Sequence, residues 1–136
     1  MVGLDTNVLV RFLVEDDPRQ SAAAASLISR AVSRDEALFI SEVVLCETVW
    51  VLSRSYRLGR AQIAGTLRDL LRARHLLFSF PERISRALDS YAGGNSDFAD
   101  YVIREMAWDA GCGQVATFDG DLLKERGFAL PSRALN

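Results

Sequence analysis

Apolar and polar positions alternate in blocks along the chain, and this pattern predicts short strands separated by amphipathic helices. Helices are predicted over residues 7–15, 18–34, 41–56, 60–74, 81–91 and 96–111, with a short helix over 119–126. Between and beside them lie five apolar runs typical of buried strands: MVGLD, ALFIS, LLFSF, QVATF and FAL. Strands that alternate with helices favour a parallel sheet with helices on both faces. We therefore expect an α/β fold whose site lies beyond the carboxyl ends of the strands.

The composition is that of one soluble globular domain covering residues 1–136, which we expect in the cytoplasm. Hydrophobic residues make up 49% of the chain and charged residues 25%, so a disordered chain is excluded. The net charge of −2 gives no global sign of a nucleic-acid binder. The chain carries neither a basic leader region at its start nor an uncharged stretch long enough to cross a membrane.

Cysteine and histidine content argues against zinc. Cys46 and Cys112 are far apart in the sequence and both lie among apolar residues, so we expect a reduced pair in the core. His75 is the single histidine of the chain, which leaves too few nitrogen and sulfur ligands for a typical zinc site.

Two aspartates follow predicted strands. Asp5 interrupts the apolar run MVGLDTNVLVRFL, where burial without a partner would cost several kcal/mol of solvation energy. Asp119 follows the strand QVATF. Each also has a purely structural interpretation, because Asp5 can cap the next helix and Asp119 can form an Asx turn in DGD.

Glu47 lies in the middle of a predicted helix, where no capping role is available. Its neighbours one turn away are apolar, namely Val43, Val44, Trp50 and Val51. We therefore predict a buried carboxylate held for chemistry. An internal ion pair with an arginine is the structural alternative.

Asp97 and Asp100 begin the last long helix. Asp97 fits an N-cap with Asp100 at the third helical position, a variant of the capping box, and that first turn helps to keep Asp100 ionised. The periodicity places Asp100 at the edge of the buried face and Asp97 nearly opposite, with Arg104 and Trp108. The predicted buried residues are Ala99, Val102, Ile103, Met106, Ala107 and Ala110.

The acids are better explained together than one by one. Clustered carboxylates repel one another unless a cation lies between them, and oxygen ligands favour Mg²⁺, with Mn²⁺ as the alternative. Such a site suits hydrolysis of a phosphodiester by a metal-activated water. On this hypothesis a divalent cation compensates Asp5.

At these residues the sequence resembles PIN-domain ribonucleases, and most of all the VapC-type toxins of bacterial toxin–antitoxin pairs. The likeness covers nearly the whole chain through LDTNVLV, SEVVLCET, FADYVIREMAWDAGC and VATFDGDL. It implies a three-layer α/β/α sandwich with a central parallel sheet, and a Mg²⁺-dependent endoribonuclease. The acidic cluster and metal ligands carried over are Asp5, Glu47, Asp100 and Asp119, with Thr6, Asn7, Ser41 and Thr117 as supporting polar residues.

The resemblance also implies partners, since toxins of this type usually form homodimers and are inhibited by a small antitoxin protein. A housekeeping PIN nuclease and a catalytically inactive PIN module that only binds RNA or protein remain open alternatives. A response-regulator receiver is disfavoured because FSFPE follows the third strand, where a receiver needs a phosphoacceptor aspartate.

A basic segment offers a candidate surface for RNA. Residues 54–86 hold eight of the fifteen arginines against Asp69 and Glu82, a net charge of +6 that leaves −8 on the remainder. These side chains either contact phosphates or form an ordinary solvated helix face, and the sequence leaves both interpretations open.

Overall fold

The computed structural model describes residues 1–135, and its contacts divide the chain into two compact units. The first unit is Met1–Pro81 and the second begins at Glu82. The single domain predicted over residues 1–136 stays a prediction, and position 136 lies outside the described residues. Among the described helices, none is both long and apolar enough to cross a bilayer.

The first unit contains three short parallel strands and four helices. The strands pair in the order β1, β2, β3, with Val2 opposite Leu38 and Leu38 opposite Leu76. Its elements are β1 (Val2–Gly3), α1 (Thr6–Leu13), α2 (Pro18–Ser33), β2 (Leu38–Phe39), α3 (Glu42–Arg54), α4 (Arg60–Arg72) and β3 (Leu76–Leu77).

The second unit follows with two helices and a parallel strand pair, in which Val115 lies opposite Phe128. Its elements are α5 (Pro81–Gly93), α6 (Phe98–Asp109), β4 (Val115–Ala116), a short 3-10 helix (Leu122–Lys124) and β5 (Phe128–Ala129). The predicted α/β class with parallel strands is confirmed. Within the described residues the strands form a three-stranded and a two-stranded sheet.

Each unit buries large apolar side chains. In α3, Leu45, Val49 and Leu52 are at most 3% exposed, and they recur at the spacing of one helix face. In the second unit Tyr91 packs edge-on against Phe98, with ring centroids 6.0 Å apart. Burial of each such large side chain stabilises the fold by about 1.5–3 kcal/mol.

The predicted buried face of α6 is wrong in phase. Ile103 and Met106 are 52% and 45% exposed, whereas Arg104 and Glu105 are 5% and 2% exposed. Among the other predicted core positions of this helix, Val102 is buried and Ala110 is exposed. The helix therefore turns a charged pair inward, the opposite of what its hydrophobic periodicity predicts.

The buried pair is tolerated because its polar atoms are bonded. Glu105 Oε2 accepts from Arg104 Nε at 3.3 Å, and Oε1 accepts from Arg86 Nε at 2.7 Å. The other Arg104 nitrogens donate to Ser90 Oγ at 2.7 Å and to the Arg126 carbonyl at 3.1 Å. Buried ions are acceptable only when their remaining donors and acceptors are satisfied in this way.

The cysteine expectation is wrong for one of the two residues. Cys46 is half-buried on α3, but Cys112 is exposed after the end of α6 and does not belong to the core. His75 bonds Asp35 through Nε2, at 3.1 Å from Asp35 Oδ1.

Candidate active site

Asp5 is the N-cap of α1. The backbone N–H of Val8 donates to Asp5 Oδ1 at 3.1 Å, as expected for a capping carboxylate. The side chain is exposed, although Leu4 beside it is buried. The expected cost of burying Asp5 therefore does not arise, and the capping interpretation is confirmed. Oδ2 carries no hydrogen bond within the part of the chain that the structure describes, so it is available to a ligand.

The supporting polar residues of the first unit also lie at helix starts. Thr6 is the first residue of α1, and Asn7 follows it in an exposed position. Ser41 is the N-cap of α3, where its Oγ accepts from the Val44 backbone N–H at 3.1 Å. Their contribution to a metal site stays a prediction.

Glu47 is exposed, and the prediction of a buried carboxylate is wrong. It shares the outer face of α3 with Val43 and Trp50, which are 68% and 57% exposed, while the inner face carries Leu45 and Thr48. Because α3 is apolar on both faces, its sequence does not reveal which face points inward. Of the four apolar neighbours that suggested burial, Val43 and Trp50 are exposed, and Val44 and Val51 are only half-buried.

The ion pair offered as the alternative role of Glu47 is not formed either. No arginine bonds its carboxylate within residues 1–135, although many other acids of the chain are paired. Glu47 thus forms no cap, hydrogen bond or ion pair among the described residues. In this part of the chain Glu47 is therefore a carboxylate with no hydrogen-bonded structural role, and it stays a candidate metal ligand.

Asp97 is the N-cap of α6 and Asp100 is its third helical residue, as predicted. The Asp97 backbone N–H donates to Asp100 Oδ2 at 3.3 Å, which is one arm of the capping box. Burial raises the pKa of the half-buried Asp100 carboxyl above its ordinary value. The charges of Asp97 and Asp119 raise the pKa further, against the lowering effect of the Asp97 N–H. The helix start does favour the ionised form of Asp100, as expected, through the Asp97 N–H, but burial outweighs that contribution and the net shift of the pKa is upward.

Asp119 and Thr117 fix the turn that follows β4. Thr117 Oγ1 accepts from the Asp119 backbone N–H at 3.0 Å, and Asp119 Oδ1 accepts from Asp121 N at 2.9 Å. This is the predicted Asx turn. Asp119 is exposed, and its Oδ2 has no hydrogen bond in the described residues.

The second unit brings Asp100 and Asp119 close enough for their charges to interact. Within neither unit do the described residues gather three or more His, Cys, Asp or Glu side chains able to hold a metal ion. The donor chemistry nevertheless fits a hard cation, because the free atoms are carboxylate oxygens. The set of four ligands stays a prediction.

Ion pairs neutralise part of the basic segment. Arg74 lies 3.4 Å from Asp35, and Arg72 lies 3.8 Å from Asp69. In the second unit Arg86 bonds Asp109 at 2.9 Å as well as Glu105. Phosphate contact by the arginines of residues 54–86 stays a prediction.

A polar cluster around Arg11 is not evident from the sequence. Arg11 Nη1 donates to Asp16 Oδ1 at 2.8 Å, and the Tyr56 hydroxyl donates to Asp16 Oδ2 at 2.6 Å. The Tyr56 hydrogen bond, reinforced by Arg11, holds the pKa of Asp16 below its ordinary value. An arginine inside the apolar run NVLVRFL was the available signal, but its partner Tyr56 lies 45 positions away and has no local signature.

A sequence model of the PIN domain family matches residues 2–128 of this chain. The match covers most of both units and includes all eight residues of the predicted site. A search of curated proteins gave no significant match.

Proposed function

The chain belongs to the PIN domain family, and from this premise we propose that it is a Mg²⁺-dependent endoribonuclease, the toxin of a toxin–antitoxin pair. PIN domains are generally metal-dependent nucleases, so phosphodiester hydrolysis in a nucleic acid is the activity that membership indicates. RNA as the substrate, Mg²⁺ or Mn²⁺ as the metal, and the cytoplasm as the location belong to the proposal.

The observation that carries the proposal is the state of the four family carboxylates. Asp5 and Asp119 each use one oxygen in a local backbone bond, and Asp100 does the same with Oδ2. Each keeps its second oxygen unbonded within the described residues, and Glu47 keeps both. None of the four is in an ion pair there, despite the fifteen arginines of the chain. These carboxylates are held in place and left with free metal-binding atoms.

In the proposed mechanism the carboxylates bind the metal ion that activates water. When bound, Mg²⁺ supplies a Lewis acid that lowers the pKa of water and offsets charge developing on the phosphate. The backbone bonds to Asp5 and Asp119 fix the direction of the free oxygen before any ligand arrives. Burial and acidic neighbours disfavour the charged form of Asp100, and a bound cation would offset both effects.

We expect the purified protein to cleave RNA with Mg²⁺ or Mn²⁺ and to stop when EDTA is added. The reason is that the proposed ligands are all oxygens, which bind hard divalent cations and offer zinc little preference. The measurement is cleavage of a labelled RNA during titration of each metal into chelator-treated protein.

The same titration distinguishes the alternatives. RNA that binds but remains intact at every metal concentration would support the inactive PIN module. Cleavage that persists in EDTA and responds to no divalent metal would exclude metal-assisted hydrolysis by these carboxylates.

We also expect expression of this chain alone to arrest growth, and the protein to be a homodimer that co-purifies with a small antitoxin encoded beside it. The reason is its likeness to VapC-type toxins, whose uninhibited RNase activity is harmful to the cell. Induced growth curves measure the arrest, with the Glu47→Gln variant as the control, and light scattering of the purified protein measures the dimer. Co-expression with the neighbouring gene, followed by purification, tests for the antitoxin. Normal growth together with a clean monomer would favour a housekeeping nuclease.

A further inference from the structure

A pocket of about 430 Å³ lies between α1 and α2 of the first unit, and Asp5 is one of its lining residues. This volume falls within the range of small-molecule sites, which extends from about 300 to 1,000 Å³. Its wall is aliphatic and includes Val8, Ala24 and Leu27. An apolar wall beside a proposed metal ligand is suited to the flat face of a nucleobase.

Hydrogen bonds orient the polar side chains that line the pocket. Arg11 donates through Nε to Gln20 Oε1 at 2.7 Å and through Nη1 to Asp16 at 2.8 Å and Tyr56 at 3.2 Å. These bonds leave Arg11 Nη2 and the Gln20 amide nitrogen without partners among the described residues. Both are hydrogen-bond donors, so they can bind the acceptor atoms of a ligand in the pocket.

Arg30 adds a cation to the opposite end of the lining helix. Its side chain is exposed and its Nε bonds the Ser26 carbonyl at 3.4 Å, one turn back on α2. No carboxylate pairs with Arg30 in the part of the chain that the structure describes. Asp16 pairs with the charge of Arg11. The charge of Arg30 has no such partner among the described residues, so it can pair with an anionic group of a ligand.

We propose that this pocket binds one nucleotide of the RNA substrate next to the cleaved bond. The base lies against Val8, Ala24 and Leu27, its acceptors face Arg11 and Gln20, and Arg30 contacts its phosphate. This assignment rests on the proposed RNase function, because Asp5 both lines the pocket and is a proposed ligand of the catalytic metal. It makes the pocket a determinant of which base is accepted at that position.

A nucleotide fits this pocket better than an apolar side chain from a partner protein. A side chain such as leucine would use the aliphatic wall but would leave the fixed donors of Arg11 and Gln20 unsatisfied. Buried donors without acceptors oppose binding. A nucleotide provides an apolar face, acceptor atoms and a negative charge in one ligand.

The test is titration of AMP, CMP, GMP and UMP into isotope-labelled full-length protein in EDTA, followed by NMR. We expect one base to shift the amide signals of α1 and of residues 20–30 more strongly than the others. Ala23→Trp fills the pocket, because Ala23 lines it and is exposed. It should weaken nucleotide binding about tenfold or more. The matched control is Ala22→Trp, at an exposed neighbour that does not line the pocket.

A second variant, Arg30→Gln, separates phosphate from base recognition without filling the pocket. It should weaken binding of the preferred nucleotide while leaving binding of the corresponding nucleoside unchanged. Equal shifts from ribose 5-phosphate alone would overturn the proposal of a base site. So would equal loss in Ala22→Trp and Ala23→Trp, or an Ala23→Trp protein that binds nucleotides normally but loses its protein partner.

Because EDTA prevents metal-dependent hydrolysis, this experiment is independent of activity. An RNase that cleaves with Mg²⁺ but shows no nucleotide shifts would refute the pocket and retain the function. A protein that binds a nucleotide here but never cleaves RNA would refute the proposed function and retain the nucleotide site.

Discussion

Glu47→Gln is expected to reduce RNA cleavage more than about 100-fold, since even outer-shell partners of metal ligands contribute 10–100-fold. Glutamine has nearly the same shape but lacks the negative charge that binds a cation. The thermal stability should remain unchanged, because Glu47 is exposed and no residue within 1–135 bonds its side chain. A loss of activity without a change in stability would separate a chemical role from a structural one.

The measurement compares single-turnover cleavage and melting curves for the wild type, Glu47→Gln and Glu36→Gln. Glu36 is a suitable control because it is also an exposed acid of the first unit, outside the sequence segments that resemble PIN proteins. Its replacement should leave cleavage within about twofold of the wild type, as is usual for a surface substitution. Retained activity in Glu47→Gln would remove Glu47 from the proposed site.

Local chemistry made the helix and strand positions predictable. Ser41 and Asp97 lie just before α3 and α6, where their side chains suit an N-cap, and Pro18 begins α2. Asp119 likewise forms the turn that its DGD sequence predicts. These features depend on residues three or four positions apart, so a single sequence contains all the information needed to place them.

The inward face of a helix was less predictable. On α3, apolar residues occur on both faces, so Glu47 and Trp50 gave no sign of pointing outward. On α6, hydrophobic periodicity misassigned Arg104 and Glu105 because it treats every charge as solvent-facing. Their burial depends on Ser90 and Arg86, which lie on α5. Such pairing is a property of the folded chain and has no counterpart in the local pattern.

The candidate site contains features set by the local sequence and features set by residues distant in the sequence. Its proposed acids can be named from the sequence because they follow strands or lie in motifs, and the structure shows the local bonds of Asp5, Asp100 and Asp119. The cluster around Arg11 was not found, because Asp16 and Tyr56 are separated by 40 positions. Hydrogen bonds between residues so far apart in the sequence can be identified only in the folded structure.

Asp100→Asn is expected to lose metal binding and to reduce cleavage more than about 100-fold, by the same comparison with outer-shell partners. The helix should persist, because asparagine Oδ1 can still accept from the Asp97 backbone N–H. Metal binding can be measured apart from activity, as a rise in melting temperature on addition of Mg²⁺. Wild type should show this rise and Asp100→Asn should not.

The raised pKa of Asp100 gives the same variant a second signature. Burial raises the pKa of the folded carboxyl above its unfolded value, so the folded protein binds this proton more tightly. The ionised group therefore destabilises the fold at pH above the folded pKa, and this effect disappears as the pH falls below the unfolded pKa. Without metal, Asp100→Asn should be more stable than the wild type at pH 7, and the difference should shrink on acidification.

Asp97 is the decisive control, because it lies three positions away and caps the same helix. Asp97→Asn should retain cleavage and the Mg²⁺ response, since asparagine caps about as well as aspartate. Asp97→Ala should lower the free energy of unfolding by about 0.5–1 kcal/mol and leave the chemistry intact. If Asp97→Asn were inactive and Asp100→Asn active, the ligand at the start of α6 would be Asp97. Asp100 would then serve the backbone N–H of Asp97, and its raised pKa would reflect only burial beside other acids.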